Sequence, residues 1–414
     1  MSSATRRLSY KMYPTPLQAA ALDRKLRWLR DLWNAALAER RDAWEKQSKS
    51  ISFYDQCKDV KILARDLDGW KGCVHTHEAQ SVLKRLQVAF EAFFRRAQDG
   101  DEEPGYPRFK GRNRFKGWGY KEHGNGFRML QDSTMRHGKV RISNVGEIRL
   151  RGVPRTPGRV LSADVTRRHD GWFLSVVVDT DCAERPAAPA GSANAFDLGV
   201  ETARVEARED GTFRAVANPR LLAAELDAIR EDQRALSKLE RERKVSKNAA
   251  KRARKRLSRR YAKVAARRKD FLHKESARIV RESALIITEE LRVQNMTASA
   301  RGTEQAPGTR VKQKAGLNRS ILDVGMSTFL NMIRYKAEEA GADFLLADTR
   351  RLKPSQRCPD CDAVRKKPLS VRVHECECGC RLSRDQAAAK VLLNWGLAEH
   401  ARLHPAGTAG ALIA

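Results

Sequence analysis

Two groups of residues in this chain are spaced for metal chemistry. Cys358-x2-Cys361 is followed, after fourteen residues, by Cys376-x-Cys378-Gly379, and four thiolates from two short knuckles can close a tetrahedral structural zinc site. The second knuckle is tighter than the usual x2 spacing, so Cys380 and His374 stand as donors that could replace Cys378. Five of the eight cysteines lie in this one stretch, which in a reducing compartment suggests a metal site rather than a disulfide framework. A redox role would not explain why they come in two groups. Cys57, Cys73 and Cys182 are scattered and read as small buried apolar residues.

The second group is three acids, each at or just past the end of an apolar or structured segment. Asp197 lies within Ala195-Phe196-Asp197-Leu198-Gly199, Glu289 follows Leu285-Ile286-Ile287, and Asp385 comes just beyond the cysteine loop. A carboxylate at the end of a buried strand is costly unless something pairs with it. Mg²⁺ takes hard oxygen ligands and keeps waters for a phosphate substrate. Two such ions can activate the attacking water and stabilise the leaving oxygen in phosphodiester hydrolysis. Taken singly, each acid reads as a cap or turn residue; the combination with a zinc knuckle and a basic surface points to nuclease chemistry. Glu289 and Glu290 are adjacent, and only one can face the site. Strand alternation groups Glu289 with Leu285 and Ile287 without deciding which face holds the metal.

The charge names the partner class. Lys and Arg number 81 against 51 Asp and Glu in 414 residues, a net charge of +30, which calls for a polyanion. No apolar run is long enough to span a bilayer, and Met1 to Gln18 lacks a secretory apolar segment, so the expectation is a cytoplasmic, nucleoid-associated protein without a membrane partner. From Arg241 to Lys274 there are sixteen Lys/Arg and two acids. A block this basic reads as phosphate-contacting, with Arg254, Arg259 and Lys263 as candidate contacts; the competing reading is a solvated helical hairpin. Earlier in the chain Arg112, Arg114 and Lys116 interleave with Phe115, Trp118 and Tyr120, a composition suited either to base stacking or to a barrel core. His75 and His77 read as capping or surface groups.

The elements that must position these residues fall into two halves. Arg6 to Tyr13 alternates as a strand, and stripes through Leu22, Leu26, Leu29, Trp33 and Leu37, then Leu83, Leu86, Phe90 and Phe93, mark amphipathic helices. After Pro104, Gly105 and Pro107, short β-like runs with a hairpin signal at Asp170-Gly171 suggest a small β-barrel completed by the first strand. The second half alternates strands with helices, as an α/β sheet does. The expected layout is a barrel at 1–15 and 104–184, a helical insertion at 16–103 and a linker at 185–193. An α/β domain at 194–350 and 383–400, a zinc knuckle at 351–382 and a tail at 401–414 complete it.

Order and spacing resemble the TnpB family, transposon-encoded relatives of type V CRISPR effectors. Tyr13-Pro14-Thr15 with Gln18 and Leu32-Trp33-Asn34 carry the resemblance near the start. Gly105-Tyr106-Pro107-Arg108-Phe109-Lys110, Asp197-Leu198-Gly199, Glu289-Glu290-Leu291-Arg292-Val293, Leu317-Asn318-Arg319-Ser320-Ile321, Tyr335-Lys336 and Ser355-Gln356 extend it over nearly the whole chain. The resemblance implies a multi-domain α/β protein. Its RNase H-like (RuvC) nuclease domain would carry an inserted zinc knuckle, and a wedge-like N-terminal β-barrel would carry the helical insertion. It implies Asp197, Glu289 and Asp385 as ligands of a two-ion Mg²⁺ site, with Glu289 rather than Glu290 the ligand, and Cys358, Cys361, Cys376 and Cys378 as ligands of structural Zn²⁺. Tyr106, Arg108 and Lys110 join the candidate nucleic-acid contacts. The implied partners are a guide RNA from the transposon end and double-stranded target DNA beside a short flanking motif. The chain departs from the family pattern at Ser383, where Asp is usual, at Ala387, where Asn is usual, and at Pro354, where Thr is usual. Ala387 motivates an alternative, a guide-loaded DNA-binding repressor with little or no cleavage.

Overall fold

A computed structural model describes residues 4–66, 69–70, 72–100, 103–130, 136–152, 158–168, 170–180, 192–241, 247–368 and 370–404. Cys182 and most of the expected linker at 185–193 lie outside them. The chain divides into two compact units, Met1–Ala183 and Glu184–Ala414. No helix among the described residues is long and apolar enough to cross a membrane.

The first unit begins with β1 (Ala4–Tyr13), followed by α1 (Pro16–Gln47), α2 (Phe53–Asp66) and α3 (Thr76–Gln98). Strands β2 (Gly117–Tyr120), β3 (Phe127–Leu130), β4 (Lys139–Ile142), β5 (Gly146–Leu150), β6 (Arg159–Arg168) and β7 (Gly171–Thr180) then join β1 in a barrel-like antiparallel sheet of order β2-β6-β7-β1-β5-β4-β3. Thr15 caps α1, with its side chain accepting from the Gln18 amide while Gln18 answers the Thr15 amide, a capping box that the Thr-Pro-x-Gln sequence encodes. The apolar stripe of α1 is buried through Leu22, Leu26, Leu29, Trp33 and Leu37. Beneath it Lys25 donates to Glu78 at 2.6 Å with both side chains sealed from solvent, and the Tyr120 hydroxyl donates to the other Glu78 oxygen. Glu78 also accepts from the His75 amide at 2.8 Å, and such added hydrogen bonds are what make a buried ion pair tolerable.

Phe115, Trp118 and Tyr120 are 6%, 0% and 2% exposed, so the barrel-core reading of these aromatics is the one realised. His75 is the N-cap of α3, and His77 meets Asn125.

The second unit centres on β8 (Ala193–Leu198), β9 (Thr202–Arg208), β10 (Phe213–Ala217), β11 (Leu285–Glu289) and β12 (Asp343–Ala347), in the order β10-β9-β8-β11-β12. The first three pair antiparallel, whereas β8, β11 and β12 run parallel. Gly199 makes the tight return from β8 to β9, since a Cβ there would fall 2.5 Å from the Thr202 carbonyl oxygen.

Helices α4 (Leu226–Arg241) and α5 (Lys247–Glu282), the turn α6 (Val293–Met296), α7 (Val311–Val324), α8 (Met326–Ala340), the turn α9 (Thr349–Leu352) and α10 (Arg384–Leu403) complete the unit with the hairpin β13 (Val373–Glu375) and β14 (Arg381–Ser383). Strand alternation sorts the two sheet faces. Phe196, Leu198 and Ile286 pack with residues of α5, α7 and α8, while Ala195, Leu285 and Ile287 pack with Ala389, Leu392 and Leu393 of α10.

Candidate nuclease site and zinc knuckle

The α10 face of the sheet is where the acids converge. Asp197 is two residues beyond Ala195 and Glu289 two beyond Ile287, so both carboxyls leave their strands on the side that α10 covers. The parallel register, with Thr288 opposite Phe196, sets the two acids side by side, and the Thr288 hydroxyl ties the strands by donating to the Phe196 carbonyl at 2.9 Å. Asp385 comes from the first turn of α10. Ser383 caps that helix, accepting from the Gln386 amide at 3.2 Å while Gln386 accepts from the Ser383 amide at 3.1 Å. The Ser-x-x-Gln pattern was present in the sequence and marks this start.

This proximity sets the electrostatics of the acids. Burial, then the charges of Glu289 and Asp385, push the Asp197 carboxyl well above its usual value, with a hydrogen bond to Glu289 in the same direction and Arg384 acting against them. Burial raises Glu289 as well. Three converging carboxyls of which one resists ionisation form a site that a divalent cation would satisfy. Glu290 is exposed, and its amide donates to the Ala347 carbonyl at 2.9 Å; of the two adjacent acids, Glu289 is the one that lies beside Asp197.

Two clefts flank Asp197. One is lined by Asp197, Asp385, Arg220, Asp323, Arg372 and Glu201 among others, with Arg372 reaching Glu201 at 3.5 Å. The other holds Asp197, Glu289, Arg350, Lys353, Ser355 and Gln356. Arg220, Arg350, Lys353 and Arg372 are cations the sequence analysis did not single out, because their relation to the acids is tertiary. Arg384 is anchored by donation to the Pro368 carbonyl at 2.9 Å. Ala387 is buried at 2% exposure among small neighbours Ala388 and Ala389, so no side-chain amide stands there.

The knuckle brings the Sγ atoms of Cys358, Cys361, Cys376 and Cys378 within 4.8 Å of one another, with Cys358 to Cys378 at 3.6 Å and Cys361 to Cys376 at 3.5 Å. A tetrahedral ZnS4 site has sulfur separations of about 3.8 Å, so this set fits a structural zinc ion. Burial raises the Cys358 thiol, yet the Asp360 and Cys361 amides with His374 and Cys378 bring it down to about 5. The Ala363 amide lowers Cys361, but Cys376, Cys378 and Cys358 push it up to about 12. The Cys358 thiolate thus forms readily, while Cys361 holds its proton until a cation neutralises the cluster. His374 and Cys380 meet on the other side of Cys358; both are buried, and the Lys367 ammonium contacts His374 Nδ1.

The candidate nucleic-acid residues are dispersed. Tyr106 packs edge-on against Phe90 and Phe93, the Arg108 carbonyl accepts from Trp33, and Lys110 exchanges two backbone bonds with the Asn34 side chain while its ammonium lies over Trp33. Arg112, Arg114 and Lys116 are exposed. On α5, Arg259 and Lys263 are exposed, whereas Arg254 is paired with Glu240 of α4.

The chain is similar to known proteins over nearly its whole length. Family profiles match residues 173–300, described as "Probable transposase", residues 327–392, described as "Cas12f1-like, TNB domain", and residues 1–49, described as "Helix-turn-helix domain". A relative from Streptomyces pristinaespiralis, provisionally named an RNA-guided DNA endonuclease, is 28% identical over 414 residues, covering 97% of this chain and 92% of its own. InsQ of Escherichia coli (strain K12), provisionally named likewise, is 28% identical over 370 residues, covering 86% and 83%. These matches support the resemblance to the TnpB family. Among solved structures, Cas12f1 from a complex with sgRNA and target DNA matches with a TM-score of 0.57 at 12% identity, covering 95% of this chain and 99% of its own. The mini-RNA-guided endonuclease Cas_phi3 matches with 0.50 at 8%, covering 95% and 92%. Both show a shared multi-domain α/β fold. In this chain the segment matched as a helix-turn-helix is β1 followed by one continuous 32-residue helix.

Proposed function

We propose that the protein is an RNA-guided DNA endonuclease whose single RNase H-like (RuvC) site, Asp197, Glu289 and Asp385, hydrolyses DNA strands with Mg²⁺ next to a short flanking motif. The observation that carries this reading is the convergence of three carboxyls from β8, β11 and the first turn of α10, with Asp197 held above its usual range first by burial and then by the other two. The sheet order, three antiparallel strands followed by two parallel ones, supports an RNase H-like plan. The names of the relatives support a guide RNA and a DNA target.

A bound pair of divalent cations would supply an activated water and neutralise the leaving oxygen. The chain's own contribution is placement. Asp197 and Glu289 are fixed by strand register, Asp385 by the Ser383 cap, and Arg384 offsets part of the acid charge. Lys353, Arg350, Arg220 and Arg372 line the two clefts and would hold the phosphates on either side of the scissile bond. In this reading 194–350 with 383–400 is the nuclease domain and 351–382 the target-binding knuckle. The barrel at 1–15 and 104–184 and the helices at 16–103 hold a guide RNA derived from the transposon end.

The test is cleavage of a guide-matched plasmid library with randomised flanks, by protein co-purified with RNA from its own locus. The expected result is linear product only with Mg²⁺ and only beside a defined flank, and none from Asp197→Ala. Flank-selective binding with the plasmid left intact would instead favour the repressor reading, and undiminished cleavage by Asp197→Ala would overturn the site.

A further inference from the structure

A second cluster of ligand groups lies at the far end of α10 from Asp385. His400 and His404 stand four residues apart at the last turn and C-cap of that helix, so their rings share one face, with centroids 4.7 Å apart. Both direct Nε2 at the same carboxylate oxygen, Oδ2 of Asp343 at the start of β12, at 2.8 Å for His400 and 3.8 Å for His404. The three ligand atoms lie within 4.8 Å of one another.

From this geometry we infer a divalent transition-metal site formed by Asp343, His400 and His404, of the borderline class that includes Zn²⁺ and Ni²⁺. Two imidazole nitrogens and one carboxylate oxygen suit these ions, and hard Mg²⁺ poorly. A helix C-terminus carries partial negative charge and favours a cation. Asp343 and His404 are 50% and 60% exposed and His400 34%, so an ion can enter from solvent and retain water in its remaining positions. An isolated His400–Asp343 hydrogen bond would explain that pair, but not the aim of the second imidazole at the same oxygen.

The bound ion would pin the last turn of α10 to the first residue of the edge strand. Asp343 is itself fixed, its amide donating to the Ala284 carbonyl at 2.8 Å, and β12 pairs with β11 as far as Ala347 opposite Glu289. The site therefore ties together the two elements whose other ends frame the carboxylates. It stands independently of the nuclease reading.

The experiment is a Ni²⁺ titration by calorimetry on untagged full-length protein, with zinc retained in the knuckle and Mg²⁺ in excess to occupy the carboxylates. Wild type, His404→Ala and Asp343→Asn are compared, with thermal unfolding followed in parallel. The wild type should take up one ion more than His404→Ala and gain Tm with Ni²⁺ where that variant gains none. Asp343→Asn should bind roughly tenfold more weakly or worse. Equal Ni²⁺ stoichiometry in wild type and His404→Ala, at zero or at any other value, would overturn the inference.

Discussion

Gly396 of α10 lies directly against Ile287 of β11: a Cβ at Gly396 would fall 2.4 Å from Ile287 Cγ1 and 2.8 Å from its Cγ2. Ile287 is two residues before Glu289 on the same strand, and α10 begins with Asp385. The missing side chain thus sets how closely the helix carrying one acid approaches the strand carrying another. Gly396→Ala should gain about 1 kcal/mol in helix propensity but cost about 1–3 kcal/mol in overpacking, and cleavage should fall more than stability does. Adding Ile287→Ala should leave the double variant less destabilised than the sum of the two singles, which denaturant unfolding of all four proteins would reveal.

The adjacent acids at 289 and 290 should separate in function. Glu289→Gln is expected to lower the cleavage rate by about a hundredfold or more, while Glu290→Gln, which alters an exposed side chain, should leave it within a few-fold. Single-turnover rates at saturating Mg²⁺ decide this, and equal losses would contradict the strand-face assignment.

Zinc content should track Cys361 and not Cys380. Cys361→Ser removes one of the four sulfurs within mutual reach and should release zinc and lower the Tm. Cys380→Ser should retain one zinc per chain by elemental analysis. The reverse pattern would move the ligand set to Cys358, His374 and Cys380.

The pH dependence of stability should reveal Asp197. Its carboxyl is raised in the folded protein from an ordinary value of 3.8, first by burial and then by Glu289 and Asp385. The Mg²⁺-free protein should therefore lose stability as pH rises through the raised value and regain it as pH falls towards 3.8. Asp197→Asn should melt above wild type at mildly alkaline pH without Mg²⁺, with the gap closing as pH is lowered. Mg²⁺ should narrow that gap by raising the wild type alone. Identical melting curves for the two proteins at every pH would count against this electrostatic account.

Some of this was legible before any coordinates. The cysteine pairs announce themselves by spacing, and the acids by the apolar runs preceding them, because both are local signals. The face that Glu289 presents to Asp197 was not legible: period-two alternation gives a strand two sides, and only the packing of α10 against Ile287 chooses between them. Phe115, Trp118 and Tyr120 illustrate the same limit, since basic and aromatic residues in alternation describe a stacking surface and a barrel wall equally well. The cleft cations Arg220, Arg350, Lys353 and Arg372 were missed because they are scattered along the chain and meet the acids only through tertiary folding. The His400–His404 spacing was visible, but its third partner, Asp343, is supplied by β12.

The distribution of the acids over β8, β11 and α10 also orders events during synthesis. Asp197 and Glu289 emerge from the ribosome well before Asp385, and β8 can meet β11 while α10 is still being made. A nascent chain at that stage holds two of the three carboxyls and lacks the helix that covers them. The three-carboxyl cluster can therefore assemble only after the barrel unit and most of the α/β unit have been translated, so under the proposed function an incomplete polypeptide would carry no armed site near the genome that encodes it.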